Sequence, residues 1–70
     1  MRFVMCVTNG GSAASLEKRK VYAVLPDSTA AKRGLMRVID ESGEDYLYPK
    51  GYFVPVTLPQ SAHKAVLTAA

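Results

Sequence analysis

The chain has no tryptophan, one cysteine (Cys6) and one histidine (His63). Each scarcity removes a class of answer. A single thiol makes an intrachain disulfide impossible, which excludes a disulfide-stapled secreted scaffold and fits a reducing compartment. One Cys and one His fall short of the roughly four ligands that a structural zinc takes. Cys6 and His63 also lie far apart in sequence and supply no nucleophile–base pair. No enzyme is therefore expected, and neither a metal nor a cofactor. Long apolar runs are missing as well. Phe3–Val7 is too short for a signal-peptide core and far too short to span a membrane. The expected address is the cytoplasm, without membrane contact.

What is present is enough for one domain of 70 residues. A chain this small buries only about 60% of the surface its unfolded form exposes. Without a disulfide or a metal, a partner subunit is the remaining source of added stability, so self-association stays open. The net charge is +3 and unevenly spread. Residues 1–35 hold six cations against two carboxylates, and residues 36–70 hold three against four. Such a split predicts a basic face and an acidic edge, and by itself serves solubility.

Patterning predicts a mostly β chain. Residues 2–7 read as a strand that is buried on both sides or pairs centrally, ended by Asn9-Gly10-Gly11. Residues 8–15 form a loop, long enough that the first two strands need not pair. Residues 20–25 form the second strand, stopped by Pro26. Asp27 or Ser28 then suits the cap of a helix of one or two turns that ends at Gly34, with a structured loop as the alternative. Residues 35–40 and 45–48 make a hairpin about a turn in which Gly43 takes positive φ. Residues 52–58 open with a tight helical turn and continue as a fifth strand, where Pro55 marks an edge position or a strand face turned to solvent. Helical spacing of Leu58, Ala62, Ala65 and Val66 predicts a C-terminal helix over 60–68. Five short strands without crossover helices point to a small closed barrel over residues 1–59, with residues 60–70 as a tail. The expected core is Phe3, Met5, Val7, Val21, Ala23, Val38, Leu47, Val54 and Val56. The facing of the third strand is ambiguous, because Leu35, Met36, Val38 and Ile39 are all apolar.

The stretch Lys20-Val21-Tyr22-Ala23-Val24-Leu25-Pro26-Asp27 is followed by Arg37-Val38-Ile39-Asp40-Glu41-Ser42-Gly43-Glu44-Asp45-Tyr46-Leu47-Tyr48-Pro49, and then by Phe53. This pattern resembles a set of short, uncharacterised bacterial proteins, over roughly residues 2–59. The resemblance implies an SH3-like barrel and no particular activity. Peptide-binding SH3 domains line their groove with an early aromatic motif and a tryptophan. This chain has no tryptophan, so proline-peptide binding is not implied.

Several constellations remain as candidates. Tyr46 and Tyr48 share one strand face while Leu47 takes the other. With Leu47 in the core both tyrosines point outward, and Tyr52 and Phe53 follow closely enough to join them. Such a patch suits a protein partner, a second copy of the chain included. The bland alternative is that the rings cover a barrel end. Lys18, Arg19, Lys20, Lys32 and Arg33 suit phosphates, with tyrosines stacking bases, in a nucleic-acid-binding alternative. Asp40, Glu41, Glu44 and Asp45 lack the ligand spacing of a calcium loop and fit a hairpin turn. Cys6 reads as a small buried hydrophobe, with a thiol-based or small-molecule role as the third reading. His63 reads as a surface residue of a short helix. The leading expectation is a non-catalytic adaptor that contacts a protein through Tyr46, Tyr48, Tyr52 and Phe53.

Overall fold

The structure, a computed structural model, describes residues 2–68. Five strands follow the chain: β1 (Arg2–Cys6), β2 (Val21–Leu25), β3 (Leu35–Ile39), β4 (Asp45–Pro49) and β5 (Phe53–Val56). Helix α1 (Ser28–Lys32) sits between β2 and β3, and helix α2 (Gln60–Thr68) closes the chain. A 3-10 turn (Lys50–Tyr52) joins β4 to β5. All neighbouring strands are antiparallel, in the order β4-β3-β2-β1-β5. The interior position of β1, between β2 and β5, matches its unbroken apolar run. Although β1 and β2 are separated by a long loop, they pair directly, Phe3 opposite Ala23 and Met5 opposite Val21.

Local chemistry sets the boundaries. The Asp27 carboxylate accepts the Ala30 N–H at 2.9 Å, so it supplies one of the acceptors that a helix start lacks. Gly34, at φ +71°, ends α1 in the left-handed region that glycine enters without steric cost. Gly43, at φ +82°, does the same for the β3–β4 turn. On the sheet, α2 packs chiefly against β2. There the His63 ring lies 4.7 Å from that of Phe3, and its Nε2 meets the Leu58 carbonyl at 3.2 Å. The histidine is thus half-buried packing material rather than a free surface group.

Two expectations need correction. The predicted closed barrel is an open sheet: β4 and β5 are its two edges and do not pair with each other. The 3-10 turn brings their adjoining ends together, with Tyr48 and Phe53 ring centres 6.2 Å apart, but the strands then diverge. The expected core also has the wrong parity. Phe3, Ala23 and Val38 are buried as predicted, but Val7, Leu47 and Val54 are exposed, and Met5, Val21 and Val56 are only half-buried. The main cluster is Val4, Cys6, Leu16, Tyr22, Val24, Val38 and Phe53. Both faces of β1 and β2 are apolar, so their pattern carries no facing signal. The loop residue Leu16 and the half-buried Met36, Tyr48 and Tyr52 complete the deeper face.

Candidate functional site

The β3–β4 hairpin turn holds four carboxylates, and each has a partner within the chain. Asp40, only 2% exposed, accepts the Ser42 N–H at 2.8 Å, the Ser42 hydroxyl and the Tyr48 hydroxyl at 2.6 Å. Burial alone would raise its pKa; these hydrogen bonds outweigh it and hold the carboxyl below the usual range. Glu41 pairs with the Lys20 ammonium at 2.8 Å and accepts the Tyr22 hydroxyl, and both keep its pKa low. The Tyr22 hydroxyl also accepts the Glu17 N–H at 2.7 Å, and burial foremost pushes its pKa well up. Glu44 accepts the exposed Tyr46 hydroxyl at 3.0 Å. Asp45 pairs with Arg37, which reaches Asp27 as well. Among the described residues no group of three His, Cys, Asp or Glu is placed to hold a metal.

This network fixes β4, and β4 sorts the aromatic residues. Tyr48 packs against the core with its hydroxyl tied to Asp40. Phe53 is buried opposite Cys6. Tyr52 covers the first loop so closely that a Cβ on Gly10 would fall 1.9 Å from its hydroxyl. Of the four aromatics named from sequence, only Tyr46 stands in solvent, at 49% exposure. Its neighbour Leu47, expected in the core, is 42% exposed on the opposite face. A shallow groove of about 330 Å³ runs past Ser15, Asp40, Ser42, Tyr46, Leu47 and Tyr48.

The backbone of β4 adds what the side chains do not. Asp40 N–H donates to the Glu44 carbonyl at 3.0 Å, and Lys50 N–H donates to the Gly34 carbonyl at 2.9 Å. These bonds bracket the β3–β4 ladder. Because bonded pairs alternate along an antiparallel ladder, Tyr46 and Tyr48 spend their backbone groups on β3, while beyond the strand ends the Glu44 N–H donates to the Ser42 hydroxyl and the Lys50 carbonyl accepts the Phe53 N–H. Asp45, Leu47 and Pro49 then direct theirs outward, at an open edge. At the other edge, Val7 N–H donates to the Tyr52 carbonyl at 2.8 Å, so Tyr52, Val54 and Val56 bond to β1. Phe53 and Pro55 face outward there, and Pro55 has no N–H to offer. Of the two placements that the missing N–H of Pro55 allowed, the structure has the edge position.

The basic residues do not converge. Lys18 and Arg19 are exposed just before β2, with Arg19 at φ +69°. Lys20 is committed to Glu41. Lys32 and Arg33 are exposed at the end of α1, beyond the far end of β2. A five-residue strand separates the two groups by about 16 Å. Cys6 is fully buried; its thiol donates to the Thr8 carbonyl at 3.3 Å, and burial pushes its pKa up, away from a reactive thiolate. No described helix is long and apolar enough to cross a membrane.

Sequence reasoning thus found Tyr46 and missed Leu47 and Lys50 as edge residues. The available signal was Pro55: an edge-strand proline on one side directs attention to the strand at the other side. Comparison of the chain with family models, curated proteins and solved structures gives no match.

Proposed function

We propose that this chain is a non-catalytic protein-binding module, an open SH3-like sheet whose contact surface is the free edge of β4. One observation carries the reading: Tyr46 and Leu47 stand exposed on the two faces of a strand whose outward backbone donors and acceptors have no partner strand among the described residues. An edge of this kind takes an added strand, with backbone hydrogen bonds giving affinity and side chains giving selectivity. Five antiparallel strands linked by a long first loop, a tight hairpin and a single 3-10 turn support the SH3-like part of the reading. The non-catalytic part is supported by the commitment of Asp40, Glu41, Tyr22 and Tyr48 to one another's neighbours, which leaves no free acid–base pair among them. A reducing, cytoplasmic setting belongs to the same reading and is supported by the buried single thiol.

The test is site-specific photo-crosslinking in cells. A photoreactive phenylalanine analogue at position 46 or 47 is expected to give protein adducts. The same group at Thr29, exposed on α1, is expected to give none. Adducts absent from positions 46 and 47, or nucleic-acid adducts gathered at Lys18 and Arg19 instead, would overturn the proposal.

A further inference from the structure

We infer that the occupant of the β4 edge is a second copy of this chain, added as an antiparallel β4–β4 pair centred on Leu47. The inference rests on the reading of β4 as the contact edge and names its partner. With Leu47 opposite Leu47 of the second copy, Asp45 lies opposite Pro49, Tyr46 opposite Tyr48, and Glu44 opposite Lys50. Each pairing occurs twice about the two-fold axis, except the central one. The outward backbone groups belong to Asp45, Leu47 and Pro49, so these residues form the hydrogen-bonded pairs. Two bonds form across Leu47, and one runs from each Asp45 N–H to a Pro49 carbonyl. Only the donor that proline lacks is missing.

Side-chain chemistry selects this register. Tyr46 and Tyr48 fall in the non-hydrogen-bonded pairs, where facing Cα atoms approach to about 4.5 Å and side chains interact most, and Glu44 and Lys50, the residues that flank β4 at its two ends, are brought level with each other. Tyr46 thus meets the aromatic Tyr48, and the Glu44 carboxylate meets the Lys50 ammonium. Lys50 is exposed and forms no ion pair among the described residues. On the other face Leu47 covers Leu47, removing the apolar side chain from solvent. No like charges oppose each other. Centring the pair on Tyr46 or Tyr48 takes Lys50 away from Glu44, and centring it on Asp45 sets that carboxylate against its own copy. The β5 edge does not compete, because of its two outward residues Pro55 has no N–H and the Phe53 N–H is held by the Lys50 carbonyl. A chain this small also gains from the apolar surface a partner covers.

The experiment follows the mass of the full chain by sedimentation from about 10 μM to about 1 mM, the range expected for an interface below standard size. A monomer–dimer equilibrium is expected. Across it the Asp45 and Leu47 amides should slow in hydrogen exchange by about tenfold or more, while those of Tyr46 and Tyr48, already bonded to β3, should not change. Glu44→Lys alone and Lys50→Glu alone should each weaken the dimer about tenfold, since each alters two symmetric pairs. The double variant should restore it. Both side chains are exposed, so unchanged exchange of the Val4 and Val38 amides serves as the check that the variants fold. A dimer indifferent to the single charge reversals, or one that the double variant fails to restore, would overturn the inference. A monomer throughout, with crosslinks from position 47 to other proteins, would overturn it and leave the β4-edge reading standing. A monomer throughout, with no crosslinks, would remove both.

Discussion

Two adjacent carboxylates, Asp40 and Glu41, each anchor a tyrosine hydroxyl, one from β4 and the other from β2. Asp40 holds Tyr48 of β4, while Glu41 holds Tyr22 of β2 together with Lys20. Both tyrosines lie on the face that carries the main core cluster, and the two carboxylates reach them from the turn that follows β3. The consequence is a defined pH response. Asp40, Glu41 and Asp27 all have folded-state pKa values below their ordinary ones. Their stabilisation is complete above the unfolded carboxylate range and is lost as pH falls from about 4 through the folded values. Tyr22 and Tyr48 shift upward, so their contribution holds below the unfolded phenol value, about 10, and is lost as pH rises through the folded ones. Denaturant midpoints should therefore form a plateau between those limits. Asp40→Ala, which strands the Tyr48 and Ser42 hydroxyls, should cost about 2–3 kcal/mol on the plateau and flatten the acid limb. An unaltered acid limb would show that the Asp40 contacts contribute nothing to it.

At the scale of elements, α2 packs on the sheet, chiefly against β2. It sets His63 over Phe3, and its Val66 and Leu67 border the hollow beside Ala23. A chain ending at Leu58 should lose about 1–3 kcal/mol, the value of uncovering one large apolar side chain, as read by its denaturant midpoint. An unchanged midpoint would mean that α2 protects nothing. The elements themselves were legible in the sequence because punctuation marks them: Asp27 and Gly34 bound α1, Gly43 makes the hairpin, and Pro59 precedes α2. Facing was not legible. Val4 and Cys6 compete with Phe3 and Met5 in an unbroken apolar run, and the choice is made by Leu16 and Phe53, which arrive from elsewhere in the chain. The candidate site was legible by half. Tyr46 is exposed as expected but not for the expected reason: it shares the core-facing side of the sheet with Tyr48, and its exposure comes from its place on the edge strand. Leu47 was assigned inward because leucine usually is, whereas α2 packs chiefly on β2 and leaves the outer face of β4 open. Closure was over-read for a related reason: which strands end a sheet depends on pairing between distant segments, and no local pattern records it.

For the whole molecule the sheet's two margins differ in kind. One offers donors and acceptors at Asp45 and Leu47; the other is interrupted at Pro55. A sheet fragment with two receptive margins can be extended from either side, head to tail, without a stopping rule. With one margin interrupted, association ends once two copies meet, because the outer rims of the pair are both β5. Pro55 is in these terms a chain terminator for assembly. Pro55→Val should leave the isolated fold nearly intact, since position 55 gives no backbone bond to β1. It should nonetheless turn a concentrated solution from limited pairing to fibrillar growth, seen as rising light scattering and thioflavin fluorescence that the parent chain does not show. A solution of the variant that stays clear would mean that something other than this one imino ring keeps the chain from polymerising.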